Sequence, residues 1–383
     1  MFDYFRVACA VPDVEVADID FNINETIKYI EDAESKNVDL LVFPELGITG
    51  YTCADLFFQQ ALLKSALDGF EKLPSATKGK IIVTAAGAPL MIDSCLFNCA
   101  IIISNGKVLG IVPKTFIPNH GEFYEKRWFT SAVDLNKNII SSKELNINLP
   151  EYEIPVGNIV FDANGVKIGF EVCEDLWAPV PPSTFLCLAG AEIIANLAAS
   201  NETVSKRERC KSLVNMQSAK NICGYAFVSA GWLESTSDLV FSGCGIIAEN
   251  GITVKEQQAK IASDYMIIKD IDLGKIRHDR IHNSSFSDGK AFYQASDIST
   301  VYIPRNVSKA DGEYADIKKL PFVPSTEKER IDRCLSIFEM QVAGLKRRLK
   351  KIGCRPVIGI SGGLDSTLAL LVSVQAIKEL GRP

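Results

Sequence analysis

Three short stretches place reactive side chains at the ends of apolar, strand-like runs: Glu45 in Phe43-Pro44-Glu45-Leu46-Gly47, Lys114 in Val112-Pro113-Lys114, and Cys173 in Glu171-Val172-Cys173-Glu174-Asp175. Together they supply an acid, a cation and a thiol, the set needed to hydrolyse an amide through a covalent thioester. A cysteine attacks as its thiolate, so a neighbour must take or stabilise the thiol proton. Glu45 in an apolar pocket would have a raised pKa and could accept that proton, then pass it to departing ammonia. Lys114 would face the oxyanion, whose charge develops only towards the transition state and therefore rewards a fixed cation. Glu174 and Asp175 form an acidic pair expected at the pocket mouth, where they would suit an ammonium group and favour an amino acid amide over a plain nitrile. Each residue taken alone has a plainer reading: Glu45 as a helix cap, Lys114 as a surface cation, Cys173 as an inert core thiol.

A second chemistry is suggested far downstream, in Ser361-Gly362-Gly363-Leu364-Asp365-Ser366-Thr367. The glycines let backbone N–H groups approach an anion, and the helix expected from Ser366 adds favourable partial charge at its N-terminus. Hydroxyls of Ser361, Ser366 and Thr367 could add donors. The Gly-Lys-Ser/Thr ending of a Walker loop is missing. A simple strand-to-helix connection is the plain alternative.

The elements that must position these groups follow a β-α-β rhythm at first, with a strand over Arg6–Val11, a helix over Asn22–Asn37, a strand over Asp39–Glu45 and a helix from near Asp55. Asn105-Gly106, Asn164-Gly165 and Asn250-Gly251 each interrupt an apolar run, and Asn-Gly readily takes the two positive φ values of a tight hairpin. A mixed sheet is therefore expected, or two sheets covered by outer helices. Helices are read over Ser183–Ala189 and Ser205–Asn221, and strands over Glu192–Leu197 and Tyr225–Ala230. Periodicity fades from about Ser284 to Pro324, which reads as a linker or surface arm. Thr326 and Glu329 resemble a capping box opening a helix to about Lys351, with Ile331, Leu335, Phe338, Val342, Leu345 and Leu349 as a buried stripe. Pro356–Ile360 reads as a strand and Ser366–Leu380 as a helix, so the chain is expected to stop one strand and one helix into a larger domain.

Composition narrows the partners. The 383 residues are 47% hydrophobic and 23% charged, with a net charge of −6 and no long basic block. That argues against nucleic acid and anionic membrane surfaces. No leader-like segment and no apolar run of about 18 residues occurs, which leads us to expect a cytoplasmic protein. The eleven cysteines lie dispersed among apolar runs, as reduced core residues do. Cys95 and Cys99 lack the second pair or histidine of a zinc set, and His278 and His282 lack a third ligand, so no metal site is assigned.

The contexts of the three reactive residues, with Gly50-Tyr51 after the first and Cys-Glu-Asp-Leu-Trp at the third, closely resemble the nitrilase, or carbon-nitrogen hydrolase, superfamily over about residues 1–285. The resemblance implies an α-β-β-α sandwich with Glu45 as general base, Lys114 as oxyanion stabiliser and Cys173 as nucleophile. It also implies a further glutamate beside the lysine, for which Glu125 fits and Glu122 competes. In glutamine-using members, positions matching Tyr51, Glu174 and Ser200 contact the amino acid. The usual tyrosine six residues after the lysine is here His120, which either contacts the substrate instead or is only a loop residue.

The Ser361–Thr367 string resembles the pyrophosphate loop of ATP pyrophosphatases, implying ATP-binding roles for Ser361, Gly362, Gly363, Asp365, Ser366 and Thr367. Both motif sets in this order resemble the glutamine-dependent NAD synthetase family. The implied organisation is a glutaminase domain over 1–284, an arm over 285–325 and the first β-loop-α unit of a parallel-sheet synthetase domain over 326–383. The implied reaction feeds ammonia from glutamine to ATP-activated deamido-NAD, with ATP and magnesium needed by the complete synthetase and no cofactor by the glutaminase step. Assembly as a homo-oligomer is implied as well. The chain as given is expected not to make NAD by itself. A stand-alone amidase and a catalytically idle scaffold are the competing readings.

Overall fold

Alternating residues of the first strand divide the molecule into its layers. In the computed structural model β1 (Tyr4–Val11) points Phe5, Val7, Cys9 and Val11 into a core shared with the second sheet, while Ala8 and Ala10 face a core under the helices. This is the period-2 alternation of a strand buried on both faces. The structure describes residues 3–145, 147, 152–293, 298–304, 310–317, 319–324 and 326–381.

The strands that follow are β2 (Leu40–Val42), β3 (Val83–Ile92), β4 (Cys95–Ser104), β5 (Lys107–Pro113), β6 (Ile139–Ser141), β7 (Glu153–Pro155), β8 (Ile159–Ala163) and β9 (Val166–Val172). They continue as β10 (Ile193–Ala198), β11 (Gly224–Ser229), β12 (Gly245–Glu249), β13 (Ile252–Glu256), β14 (Tyr265–Asp272) and β15 (Ser299–Ile303). One sheet has the order β14-β1-β2-β3-β4-β5, a second has β13-β12-β11-β10-β9-β8-β15, and β6 pairs with β7. Both large sheets are mixed, with parallel pairing of β1 to β2, β2 to β3, β9 to β10 and β10 to β11, and antiparallel hairpins towards the edges. Each Asn-Gly pair sits at a hairpin tip with both residues at positive φ, from Asn105 at 45° to Gly165 at 89°.

The helices are α1 (Ile19–Ser35), α2 (Gln60–Phe70), α3 (Lys72–Ala76), α4 (Pro182–Leu188), α5 (Lys206–Asn221), α6 (Leu273–His282) and α7 (Ser284–Phe292) in the sheet-bearing unit. Helix α1 begins earlier than its periodicity suggests, because Asp18 caps it by accepting from the Phe21 N–H at 3.0 Å. The helix expected near Asp55 is instead a 3₁₀ segment over Tyr51–Phe58, kinked at Ala54, and α2 starts only at Gln60. The Asp55 carboxylate is held by Arg127 at 2.7 and 2.8 Å and by Trp128 at 2.9 Å, so it caps no helix. The stretch in which periodicity fades carries α7 and β15, and β15 pairs in parallel with β8 at the sheet edge. Residues 294–297, 305–309, 318 and 325 of that stretch lie outside the described residues.

Two compact units are present, Met1–Ala315 and Asp316–Pro383. The second holds α8 (Glu327–Ile352) and α9 (Leu364–Glu379). Thr326 caps α8 by accepting from the Glu329 N–H at 3.3 Å. Of the expected apolar stripe only Val342 and Leu349 are buried, packed with Val372 and Ala376 of α9, while Ile331 and Leu335 stay exposed. A single partner helix covers only part of a 26-residue helix. Pro356–Ile360 forms no ladder, because no described strand lies beside it to accept its hydrogen bonds.

Candidate active site

The Phe-Pro-Glu stretch leaves β2 and crosses towards the other sheet, where the Glu45 N–H donates to the Ala198 carbonyl at 3.2 Å. The turn takes Leu46 to φ +52°, and β3 passes so close that a Cβ on Gly87 would lie 2.3 Å from the Leu46 nitrogen. Only glycine fits there. Lys114 follows β5 and donates its N–H to the Asn98 carbonyl at 2.8 Å. Its Nζ donates to Glu45 Oε1 at 2.6 Å and to both oxygens of Glu125 at 2.9 Å. Asn98 adds its amide to Glu45 Oε1 at 2.5 Å, and the Tyr51 hydroxyl donates to Glu125 Oε1 at 2.8 Å. Lys114 and Glu45 are fully buried and Glu125 is 2% exposed. Glu45 Oε2 is left without a hydrogen-bond partner, an open acceptor inside the site.

Cys173 opens a 3₁₀ turn after β9 at φ +44°, a conformation that L-residues adopt at a cost. Its N–H donates to Asn196 Oδ1 at 3.1 Å. Burial, then Glu45, push its thiol pKa well above the ordinary value, and Lys114 pulls the other way, so the resting group is a neutral thiol. Burial likewise raises Glu45 to about 7 against the pull of Lys114. Burial works against the Lys114 ammonium, but Glu125 and Glu45 outweigh it and hold the lysine pKa well above its usual value. Glu45, Lys114 and Glu125 all act electrostatically on the thiol. The resulting state is a neutral thiol, a carboxylate near its titration point and a permanent ammonium.

Cys173 lies at the edge of a cleft of about 560 Å³ that also takes in His120, Glu122, Glu174, Ser200, Lys206 and Arg209. His120 Nε2 pairs with Glu174 Oε1 at 3.0 Å, and the Ser200 N–H donates to Ser229 Oγ at 2.8 Å. Glu122 accepts from Asn201 at 2.7 Å, so it is Glu125 that sits on the lysine. Tyr51 lies with Glu125 along a second cavity of about 200 Å³ that shares Glu122 and Phe123 with the cleft, its hydroxyl already engaged. Asp175 departs from its expected place at the pocket mouth. It is 1% exposed and accepts N–H bonds from Thr115, Phe116 and Val172, which leaves Glu174 as the acid of that pair on the cleft.

The sequence reading did not single out Asn98, Lys206 or Arg209. A signal for the last two exists: basic side chains in the first turn of α5 oppose the helix dipole, an arrangement that stability alone does not favour. Lys206 Nζ stands 5.1 Å over the Phe123 ring and Arg209 5.6 Å over Trp177, aromatic faces that keep both cations beside the cleft.

In the second unit Gly362 has φ +84° and Gly363 caps α9. The Ser366 and Thr367 hydroxyls donate back to the Gly363 carbonyl at 3.0 and 2.9 Å, and Ser361 Oγ lies 3.3 Å from Ser366 Oγ. Asp365 lies in the first turn of α9. Among the described residues no group of three or more His, Cys, Asp or Glu could hold a metal ion, and no helix is long and apolar enough to cross a membrane.

Residues 6–281 match the carbon-nitrogen hydrolase family model. The chain is 31% identical over 388 aligned positions to a glutamine-dependent NAD(+) synthetase of Mycobacterium leprae, covering 99% of this chain and 56% of that protein. It thus spans about half the length of the curated relatives it matches. The glutamine-dependent NAD+ synthetase of Acinetobacter baumannii, solved with adenosine diphosphate, superposes with a TM-score of 0.59 at 23% identity, over 98% of this chain and 57% of that one. A nitrilase-superfamily amidase from Nesterenkonia gives 0.55 at 16% identity, over 75% and 97%. With the family model matching most of its length and two mixed sheets enclosing a buried Glu-Lys-Glu cluster beside a cysteine, the chain belongs to the carbon-nitrogen hydrolase family.

Proposed function

We propose that this chain hydrolyses glutamine at Cys173 and that the ammonia serves ATP-dependent amidation of deamido-NAD to NAD. One observation carries the reading: the Lys114 ammonium, fixed by Glu45 and Glu125, acts on a neutral thiol at a cleft lined by two acids and two cations. The acids are Glu122 and Glu174 and the cations Lys206 and Arg209, with Glu122 already 4.0 Å from Lys206. A zwitterionic amino acid amide matches that charge pattern, its ammonium towards Glu174 and its carboxylate towards Lys206 and Arg209. Ser200 and His120 border the same space, with His120 acting through its pair with Glu174.

Chemically, Glu45 takes the thiol proton as Sγ attacks the amide carbon. Lys114 stabilises the tetrahedral oxyanion, and Glu45 returns the proton to the nitrogen as ammonia leaves. Water then attacks the thioester carbon, with Glu45 again accepting a proton; the C–S bond breaks, glutamate is released, and Glu45 returns the proton to Sγ to restore the thiol. Glu125 holds the lysine, and Tyr51 orients Glu125.

The loop over Ser361–Thr367 suits a pyrophosphate group, since Gly362 and Gly363 leave the N-terminus of α9 open and Ser361, Asp365, Ser366 and Thr367 surround it. Asp365 is a single carboxylate at this loop, and a magnesium ion bound there would take the rest of its ligands from phosphate and water; no step is routed through it. The test is ammonia release from glutamine, asparagine and propionamide by this chain and by Cys173→Ala, with labelling by a diazoketone analogue of glutamine. Glutamine-selective release and labelling, both lost in the variant, support the reading. Preference for propionamide points to an amidase, and absence of Cys173 labelling to a binding scaffold.

A further inference from the structure

Asp175 is a buried acid beside the site that accepts three backbone N–H bonds, and the chemistry above gives it no task. Its Oδ1 accepts the N–H groups of Thr115 and Phe116 at 3.1 and 2.8 Å, and its Oδ2 accepts that of Val172 at 2.9 Å. Thr115 directly follows Lys114, and Val172 directly precedes Cys173. The two segments end strands of different sheets, β5 and β9. One carboxylate therefore fastens the chain bearing the ammonium to the turn bearing the thiol. We propose that Asp175 is a positioning residue that sets Lys114 against Cys173 across the gap between the sheets, so that the ammonium lies where the oxyanion forms.

The alternative is a local cap on the cysteine turn. That task would use the bond to Val172, three residues away, and leave Oδ1 free. Instead Oδ1 takes two bonds from residues about 60 positions earlier. A role in holding substrate is disfavoured too, because Asp175 is buried and does not border the 560 Å³ cleft. Burial, then Glu171, raise the Asp175 pKa to about 8 while its N–H donors pull the other way, so what the three bonds require is an acceptor oxygen at both Oδ1 and Oδ2. An asparagine would turn an NH₂ group towards one set of donors. The cysteine turn also needs holding, since Cys173 sits at φ +44°. Asn196 holds it from its own sheet, through the Cys173 N–H, whereas Asp175 is tied to the opposite one.

This inference rests on the hydrolytic reading for its purpose, but it can be tested without substrate. Lys114 pulls the thiol pKa down, so its placement can be read from the pH dependence of Cys173 alkylation by iodoacetamide, followed by peptide mass spectrometry. We compare the wild type, Asp175→Asn, Lys114→Gln and the double variant. Loss of the nearby cation is expected to move the midpoint upwards by about one pH unit and to slow alkylation at neutral pH ~10-fold in each single variant. The double variant should match Lys114→Gln alone, because Asp175 acts through the lysine. A wild-type profile in Asp175→Asn, or shifts that add in the double variant, would overturn the proposal. Should Asp175→Asn not fold, Asp175→Glu, which keeps the carboxyl group but moves it by one methylene, is judged by the same criterion. With glutamine, Asp175→Asn should lower kcat ~100-fold and change KM less than about twofold. If the wild type releases no ammonia, the hydrolytic reading fails and alkylation alone decides the positioning role. If the wild type is active and kcat is unchanged in the variant, positioning is the claim that fails.

Discussion

Glu45 is asked to be a base while buried beside a permanent cation, and its pKa of about 7 is the balance between burial, which favours the acid, and Lys114, which favours the carboxylate. Because the base form must be ionised, kcat/KM for ammonia release should rise with pH through about 7. Glu45→Gln should abolish that limb and lower kcat by ~10²–10⁴-fold, measured by steady-state ammonia assay. Linkage gives a second expectation. The folded-state pKa stands above the ordinary 4.5, so the folded protein holds the proton more tightly than the unfolded chain does. Stability from this group is therefore full below about 4.5 and is lost as pH rises through about 7. Urea midpoints from pH 4 to 8 should fall more steeply in the wild type than in Glu45→Gln. At this scale the sequence was informative, since the motifs of Glu45 and Lys114 named two groups that meet in one buried cluster and that of Cys173 a thiol on which both act. Asp175 shows the limit: an acid next to Glu174 reads as a pocket residue until its three N–H partners are known.

The elements present these side chains through tight passages between neighbours. A methyl group on Gly87 would press on the backbone of Pro44, Glu45 and Leu46, with the nearest atom at 2.3 Å. Gly87→Ala should cost about 1–3 kcal/mol by overpacking. Its kcat should also fall, because the Glu45 turn must move; denaturant unfolding and ammonia assays check the two effects separately. The Asn-Gly hairpins were legible because a tip at positive φ is a local property. The Pro356–Ile360 run was not, since a strand exists only through a partner, and a run of apolar residues does not say whether one is there. The exposed Ile331 and Leu335 on α8 make the same point for a helix, because periodicity marks a face but not its cover.

For the sheet-bearing unit as a whole, one buried cation joins distant parts of the chain. Arg6 is 2% exposed, binds Asp270 at 2.7 and 3.0 Å, the Lys36 carbonyl at 2.8 Å and Asp311 at 2.8 Å, and lies 4.6 Å from the centre of the Tyr314 ring. It thereby ties β1, β14 and the end of α1 to residues 311–314. Arg6→Met leaves Asp270 buried without its charge partner and should destabilise the protein by about 3–5 kcal/mol, seen as a lowered urea midpoint. In the sequence Arg6 is only the first residue of a strand, and its acidic partners Asp270 and Asp311 lie 264 and 305 positions away.

The sequence by itself determined which groups can do chemistry, where α1, α4, α5 and the three Asn-Gly hairpins lie, and that two motif sets follow one another. Each of these depends on residue type and on spacings within a few positions. The tertiary structure alone decided that Glu125 rather than Glu122 sits on Lys114, that Tyr51 is engaged by Glu125, that Lys206 and Arg209 border the cleft, and that Asp175 faces inward. Those outcomes depend on which strand ends two sheets bring face to face. Contacts of that kind join residues from 11 positions apart, as Lys114 and Glu125 are, to 60 or more, as in the Asp175 bond to Thr115, and no helix or strand period encodes them.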